Sequence, residues 1–205
     1  MDWGAVVERQ RGRFEQTEKP VLRGNAAYGA GLALLMSGRA EDARPWFDEA
    51  ASAWRESWSD ATPTSWGRPI GAIKALLLAG DDEAAAEAGE WALSLGCETA
   101  DSPIGRYAAA LALLTLDRFA EARVPAASIR ELDDFPHAVA EALATIAAHD
   151  VVGYTEAVES VLASFESRDE YLEDVAVADT VLVLQRLAAR RGIAARLPGS
   201  AVLPG

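Results

Sequence analysis

The 205-residue chain is predicted to be all-α, an array of antiparallel helix hairpins with about ten helices in one domain. Three observations carry this. Apolar residues recur at helical spacing along nearly the whole chain, and no run alternates as a half-buried strand would. The segment boundaries hold helix-capping chemistry. A turn-plus-helix pattern also returns at intervals of 35 to 42 residues, the size of a helical hairpin.

Helices are expected at 2–18, 20–37, 40–58, 63–79, 82–95, 103–116, 119–131, 136–148, 154–166 and 170–191. Gly38 stops the second, and acidic residues of "MSGRAEDARPWFDEA" (36–50) open the third. Thr62-Pro63 and Ser102-Pro103 read as a capping residue followed by proline at the first helical position, where its missing N–H costs nothing. "GDDE" (80–83) sets carboxylates on the positive end of the fifth helix. Pro125 inside the seventh predicts a kink or a later start. Asp134-Phe135-Pro136 reads as a start with an N-capping carboxylate, and Gly192 closes the last helix. "ESRDEYLED" (166–174) reads as a solvated face leading into that helix; its charges lack the ligand spacing of a calcium loop. Short connections make sequential helices antiparallel neighbours. The domain divides into an N-terminal flanking helix (1–20), hairpins (21–166), a C-terminal packing helix (167–192) and a tail (193–205).

Acidic residues outnumber basic ones 32 to 19, for a net charge of −13. That balance argues against nucleic acid or an anionic membrane as partner, because a basic footprint supplies most of such affinity. Only Lys19 and Lys74 are lysines. GC-rich coding and a surface adapted to high salt both account for this, and they are compatible. With Cys97 as its one cysteine the chain has no internal disulfide, and a reducing compartment fits. The first residues show no apolar signal core, and the longest apolar stretch (26–36) is too short for a membrane span. A cytoplasmic, soluble protein is expected.

The recurring pattern is "LLMSGRAEDARPWFDEA" (34–50), "LLLAGDDEAAAEAGEWA" (76–92), "LLTLDRFAEARVPAASI" (113–129) and, loosely, "AAHDVVGYTEAVESVLAS" (147–164). The small residues opening each second helix are Ala43, Ala85, Ala122 and Ala157, separated by 42, 37 and 35 residues. The array resembles tetratricopeptide repeats. In the first unit Gly31 matches the small helix-A residue, Gly38 the turn glycine, and Ala43, Phe47 and Ala50 the helix-B trio. The second unit keeps Gly80, Ala85 and Ala92, with Gly89 at the aromatic position. The third keeps Ala122, with Asp117 at the turn and Ala126 at the aromatic position. The resemblance spans roughly residues 24–164 and implies a right-handed, TPR-like α-solenoid whose concave face binds a protein or peptide. The C-terminal "DTVLVLQRLAARRGI…LPGSAVLP" (179–204) is similar to the end of immunity-49-type proteins, which implies a helical inhibitor of a cognate toxin.

Carried onto this chain, the repeat register sets Asn25, Tyr28, Leu32, Leu35, Met36, Ile70, Lys74, Leu77, Leu78, Ile104, Tyr107, Leu111, Leu114, Ile146 and His149 along the concave surface. It lacks the repeated Lys and Asn that clamp a peptide carboxylate in chaperone-binding relatives of that family. An apolar groove of this size must be covered. A partner helix is one cover. The chain's own helix within 175–188, apolar nearly all round, is the other. Trp46, Trp54 and Trp58 share a stripe with Ala43, Phe47 and Ala50, which reads as core; Trp54, Trp58 and Trp66, flanking the loop 59–67, read alternatively as an interface hot spot.

Catalysis finds little footing. His137 beside Asp133 and Asp134, and His149 beside Asp150, meet no metal-ligand spacing, and no phosphate loop or nucleophile elbow occurs. Cys97 reads as a packing residue. The expected function is a non-catalytic protein-interaction module, monomeric or homodimeric, without metal or cofactor. Its candidate contacts are Asn25, Tyr28, Trp54, Trp58, Trp66, Arg68, Lys74, Arg106, Tyr107 and His149. A toxin-neutralising protein and an enzyme with a small acidic/His site are the alternatives.

Overall fold

A computed structural model describes residues 1–205 as ten α-helices and three single 3-10 turns, with no strands. The helices are α1 (Trp3–Glu15), α2 (Pro20–Met36), α3 (Ala40–Glu56), α4 (Gly67–Ala79), α5 (Asp82–Ser94), α6 (Pro103–Thr115), α7 (Phe119–Arg130), α8 (His137–Ala148), α9 (Val151–Glu166) and α10 (Asp179–Arg190). From α1 to α9 each helix packs on the next, and α4, α6 and α8 also touch in succession. One hydrophobic core runs from Val6 to Val202. No helix is long and apolar enough to cross a membrane.

Four inter-helix turns share one hydrogen-bond pattern, which the end of α10 at Gly192 repeats. Gly38, Gly80, Asp117 and His149 each have positive φ, between 56° and 78°. In each turn the N–H of that residue donates three residues back, to Leu35, Leu77, Leu114 and Ile146. The next N–H (Arg39, Asp81, Arg118, Asp150) donates five back, to Leu34, Leu76, Leu113 and Thr145. This double closure satisfies the last carbonyls of a helix and reverses the chain. Five residues past the turn stand Ala43, Ala85 and Ala122, fully buried, and then Tyr154. Ala157 lies three residues beyond Tyr154 and is buried as well. Within the first hairpin a Cβ on Gly31 would lie 2.7 Å from the Phe47 ring, so glycine there lets α2 and α3 approach closely.

Four local expectations fail for identifiable reasons, and a fifth fails in part. Thr62-Pro63 starts no helix: residues 62–65 form a turn in which the Thr62 and Ser65 hydroxyls lie 2.9 Å apart, and α4 begins at Gly67. Asp134 caps nothing, because Pro136 holds the N-cap position of α8 without a side-chain bond. The start of α9 moves up to Val151, because Asp150 caps it through the Gly153 N–H at 3.0 Å. Of the two effects expected of Pro125, the later start is not seen: the seventh helix begins at Phe119, with Pro125 inside it. Residues 170–178 are not helical; they form an extended strap with a 3-10 turn at Leu172–Asp174.

The strap is clipped to α1. Arg13 pairs with Asp174 at 2.9 Å, and Gln10 donates to the Glu173 carbonyl at 2.7 Å. Arg9 donates to the Asp174 carbonyl at 3.0 Å. These bonds hold two successive non-glycine residues, Glu173 and Asp174, at φ 55° and 57°, a conformation that costs about 1–2 kcal/mol per residue. The acidic run is thus a pinned connector.

Beyond the strap, α10 packs on α4, α8 and α9. Its Val181, Val183, Leu184, Leu187 and Ala188 are buried. Arg186 pairs with Asp82 at 2.9 Å, and Arg190 with Asp117 at 2.7 Å, tying α10 to the turns after α4 and α6.

Candidate functional site

A cleft of about 380 Å³ opens where α2, α3, α4 and the end of the strap meet. Val21, Asn25 and Tyr28 reach it from α2 at helical spacing, and Trp54 comes from the last turn of α3. Thr64, Ser65 and Trp66 form its lip; Arg68, Ile70, Gly71 and Lys74 form the α4 wall. Leu172 from the strap and Asp179, the first residue of α10, complete it.

The Trp54 indole is the central wall. A Cβ on Gly24 or on Gly71 would lie 2.8 Å from its ring, so the two glycines sandwich it between α2 and α4. Its Nε1 donates to Asn25 Oδ1 at 3.0 Å, and its ring lies 5.3 Å from that of Tyr28. Buried indoles hold a fixed plane when the N–H has a partner. Arg68 donates to the Ser57 carbonyl, which fixes the lip to the end of α3.

At the inner end lies a buried ion pair. Lys74 Nζ is 2.5 Å from Asp179 Oδ2, with the side chains 13% and 10% exposed. Tyr28 donates to the same oxygen at 2.8 Å. The other oxygen, Oδ1, accepts from the Thr180 N–H at 2.7 Å and from its hydroxyl at 3.3 Å. Lys74 also donates to Thr180 Oγ1 at 3.2 Å. Burial pushes the Asp179 carboxyl up, but the Lys74 charge and the bonds from Lys74, Tyr28 and Thr180 hold it below the usual range. Burial likewise opposes charge on Lys74, and the Asp179 carboxylate reverses that, so the ammonium is held above its ordinary value. Burial first, then the adjacent carboxylate, keeps the Tyr28 phenol neutral far above its usual range.

Six of the ten sequence candidates meet in this cleft: Asn25, Tyr28, Trp54, Trp66, Arg68 and Lys74. The other four do not line it. Tyr107 is half-buried near Lys74 and Asp179, with its ring 5.4 Å from Phe135. Trp58 backs Trp66 at 5.9 Å and meets Trp91 at 6.1 Å. Arg106, one residue from Tyr107 and so turned about a helix by roughly 100°, lines a separate depression with Glu98, Asp101 and Glu121. His149 is not a concave residue at all: it is the exposed positive-φ turn after α8. Trp46 leaves the expected stripe as well and meets α1, 5.4 Å from Phe14 and beneath Arg11.

Sequence reasoning missed Asp179, Thr180, Gly71 and Leu172. Asp179 had a signal, being the one acid within the apolar run 175–188. A charge in such a helix requires a partner, and Lys74 is the one charge within the equally apolar α4 stretch 69–79. Cys97 is fully buried, and burial raises its thiol to about 11. No group of three or more His, Cys, Asp or Glu side chains is placed to hold a metal ion. Compared with protein-family models, curated proteins and solved structures, the chain matches none.

Proposed function

We propose that the chain is a non-catalytic interaction module of the TPR-like type. In this reading α2–α3, α4–α5, α6–α7 and α8–α9 are four hairpins of a right-handed solenoid, α1 caps one end, and α10 fills most of the concave face. The four identical turn closures support the repeat reading, since each sets the same reversal before a buried small or aromatic anchor. Gly31 against Phe47 supports it in the first unit.

One observation carries the binding assignment: six residues chosen as concave or interface contacts converge on a single cleft that α10 leaves open. A rigid indole, polar lip residues and the exposed Leu172 offer an apolar anchor point with a polar rim, as interaction sites do. The partner docks across the Arg68 and Leu172 rim of the cleft, and the buried Lys74–Asp179 pair holds its floor.

The test uses the half-buried lip residue Arg68 and the exposed Leu172, because Tyr28 and Lys74 belong to the buried network and their removal would perturb folding. Immobilised wild type and an Arg68→Glu, Leu172→Glu variant, matched by circular dichroism and melting temperature, are each exposed to extract of the native organism. Loss of a stoichiometric partner from the variant alone supports the cleft. A partner retained equally by both proteins removes it.

A further inference from the structure

We propose that the cleft is a receptor site for a small aromatic carboxylate. This rests on the cleft being the binding surface of the module, and it names the chemistry that fills it.

The hydrogen-bonding capacity left in the cleft is one-sided. The acceptor Asp179 is saturated: Oδ2 takes Lys74 and Tyr28, and Oδ1 takes the Thr180 N–H and hydroxyl. Asn25, which lines the cleft, has its Oδ1 occupied by the Trp54 indole, and its amide N–H groups have no protein acceptor. Arg68 forms one bond, to the Ser57 carbonyl, and no ion pair, so its remaining guanidinium N–H groups are free. The N–H of Gly67, first in α4, has no backbone acceptor. Donors converge where acceptors are already occupied, an arrangement that selects an anion. Hydroxyls of Thr64 and Ser65 at the lip serve either role.

Charge points the same way. The charged lining residues are Arg68, Lys74 and Asp179, one net positive charge in a chain whose total is −13. A local positive site on an acidic protein concentrates small anions and repels bulk acidic surfaces.

Shape supplies the rest. At about 30 Å³ per water, 380 Å³ holds roughly a dozen heavy atoms. The exposed edges of Trp54 and Trp66, with Val21, Ile70 and the exposed Leu172, give the cleft an apolar side. Tyr28, Lys74 and Asp179 close the inner end, while α10 occupies the face beyond, on α4 and α8. An extended chain would need a continuing groove; a free acid such as an arylacetate does not. We therefore commit to a free acid rather than a peptide.

The probe pair is phenylacetate and its neutral isostere phenylacetamide, titrated into the full chain by calorimetry and by 1H–15N NMR. Phenylacetate is expected to bind at about 1 mM or tighter and to shift the Gly67 and Gly71 amides and the Trp54 and Trp66 indole N–H signals. Phenylacetamide is expected to bind about tenfold weaker or worse, the scale of one charge-assisted hydrogen bond. Arg68→Gln should show the same selective loss at an unchanged melting temperature. Equal binding of acid and amide, shifts confined to other residues, or no binding at 10 mM would each overturn the proposal. If phenylacetate fails while partner capture still depends on Arg68 and Leu172, the acid proposal falls and the interaction reading stands. If phenylacetate binds while capture is indifferent to those residues, the reverse holds.

Discussion

Replacing Asp179 with asparagine preserves shape, and the amide oxygen can still accept from Tyr28. It removes the charge that faces Lys74 at 2.5 Å, in a site where both side chains are about nine-tenths buried. An exposed pair would forfeit at most about 1 kcal/mol. Leaving one buried charge without its partner costs about 3–5 kcal/mol. For a chain of this length each kcal/mol shifts the melting temperature by roughly 2–4 °C, so Asp179→Asn should melt about 6–20 °C lower at pH 7. The pH dependence gives a second, independent reading. In the wild type the Asp179 carboxyl lies below its unfolded value, so its stabilisation is full above about pH 4 and fades as pH falls through the folded value. Lys74 lies above its unfolded value, so its share is full below about pH 10 and is lost at higher pH. The pair therefore contributes a flat plateau between those limits. Without Asp179, burial alone acts on Lys74 and depresses its pKa. The folded variant then sheds a proton that the unfolded chain keeps, and its stability rises with pH. Scanning calorimetry of both proteins at pH 7 and pH 9.5 should show the gap narrowing. A loss under about 3 °C, or a gap that widens, would refute the claim that this pair is buried and mutually dependent.

Three further outcomes follow from the geometry. Gly71→Ala puts a methyl 2.8 Å from Trp54; overpacking of this kind costs about 1–3 kcal/mol, and the displaced indole should alter near-ultraviolet circular dichroism and abolish binding in the cleft. His149→Gly relieves a φ of 62° at an exposed turn. Relief of about 1–2 kcal/mol less the added chain entropy of glycine gives a net gain of about 0.5–1 kcal/mol, visible in denaturant melts, with partner and acid binding unchanged. The Cys97 thiol, buried and raised to about 11, should resist Ellman's reagent at pH 8 until the chain unfolds. Rapid labelling of the native protein would show that the core around Cys97 opens locally.

The elements that were legible in the sequence are those governed by local chemistry. Ser102 accepts from the Gly105 N–H at 3.1 Å, and Asp81 from the Ala84 N–H at 2.9 Å, as their positions before Pro103 and within "GDDE" suggest. Where a cap competes with a turn, locality misleads: Thr62 bonds across its own turn to Ser65, and α4 waits for Gly67. His149 resembled a concave polar tip because nothing in its side chain announces a positive φ. The shared closure, Arg118 to Leu113 and Asp150 to Thr145, becomes visible only with coordinates. Part of the cleft could be anticipated from helix registers, since Asn25 and Tyr28 are one helical step apart on α2, as are Ile70 and Lys74 on α4. Leu172 and Asp179 arrive from more than 90 residues away, and periodicity within a helix carries no information about such pairings.

The strap and α10 also bear on how the molecule comes apart. A row of helices touching only their neighbours can fray from either end, unit by unit. Here Arg13 reaches Asp174 across 161 residues, Lys74 reaches Thr180 across 106, and Arg186 reaches Asp82 across 104. Closing a loop of 106 residues rather than a hairpin of about 35 costs only about 1 kcal/mol more, because the penalty grows with the logarithm of length. For that small penalty both ends of the row are fastened to its middle. Unfolding is then expected to be one cooperative event, with loss of α10, release of Lys74 and collapse of the cleft occurring at the same denaturant midpoint.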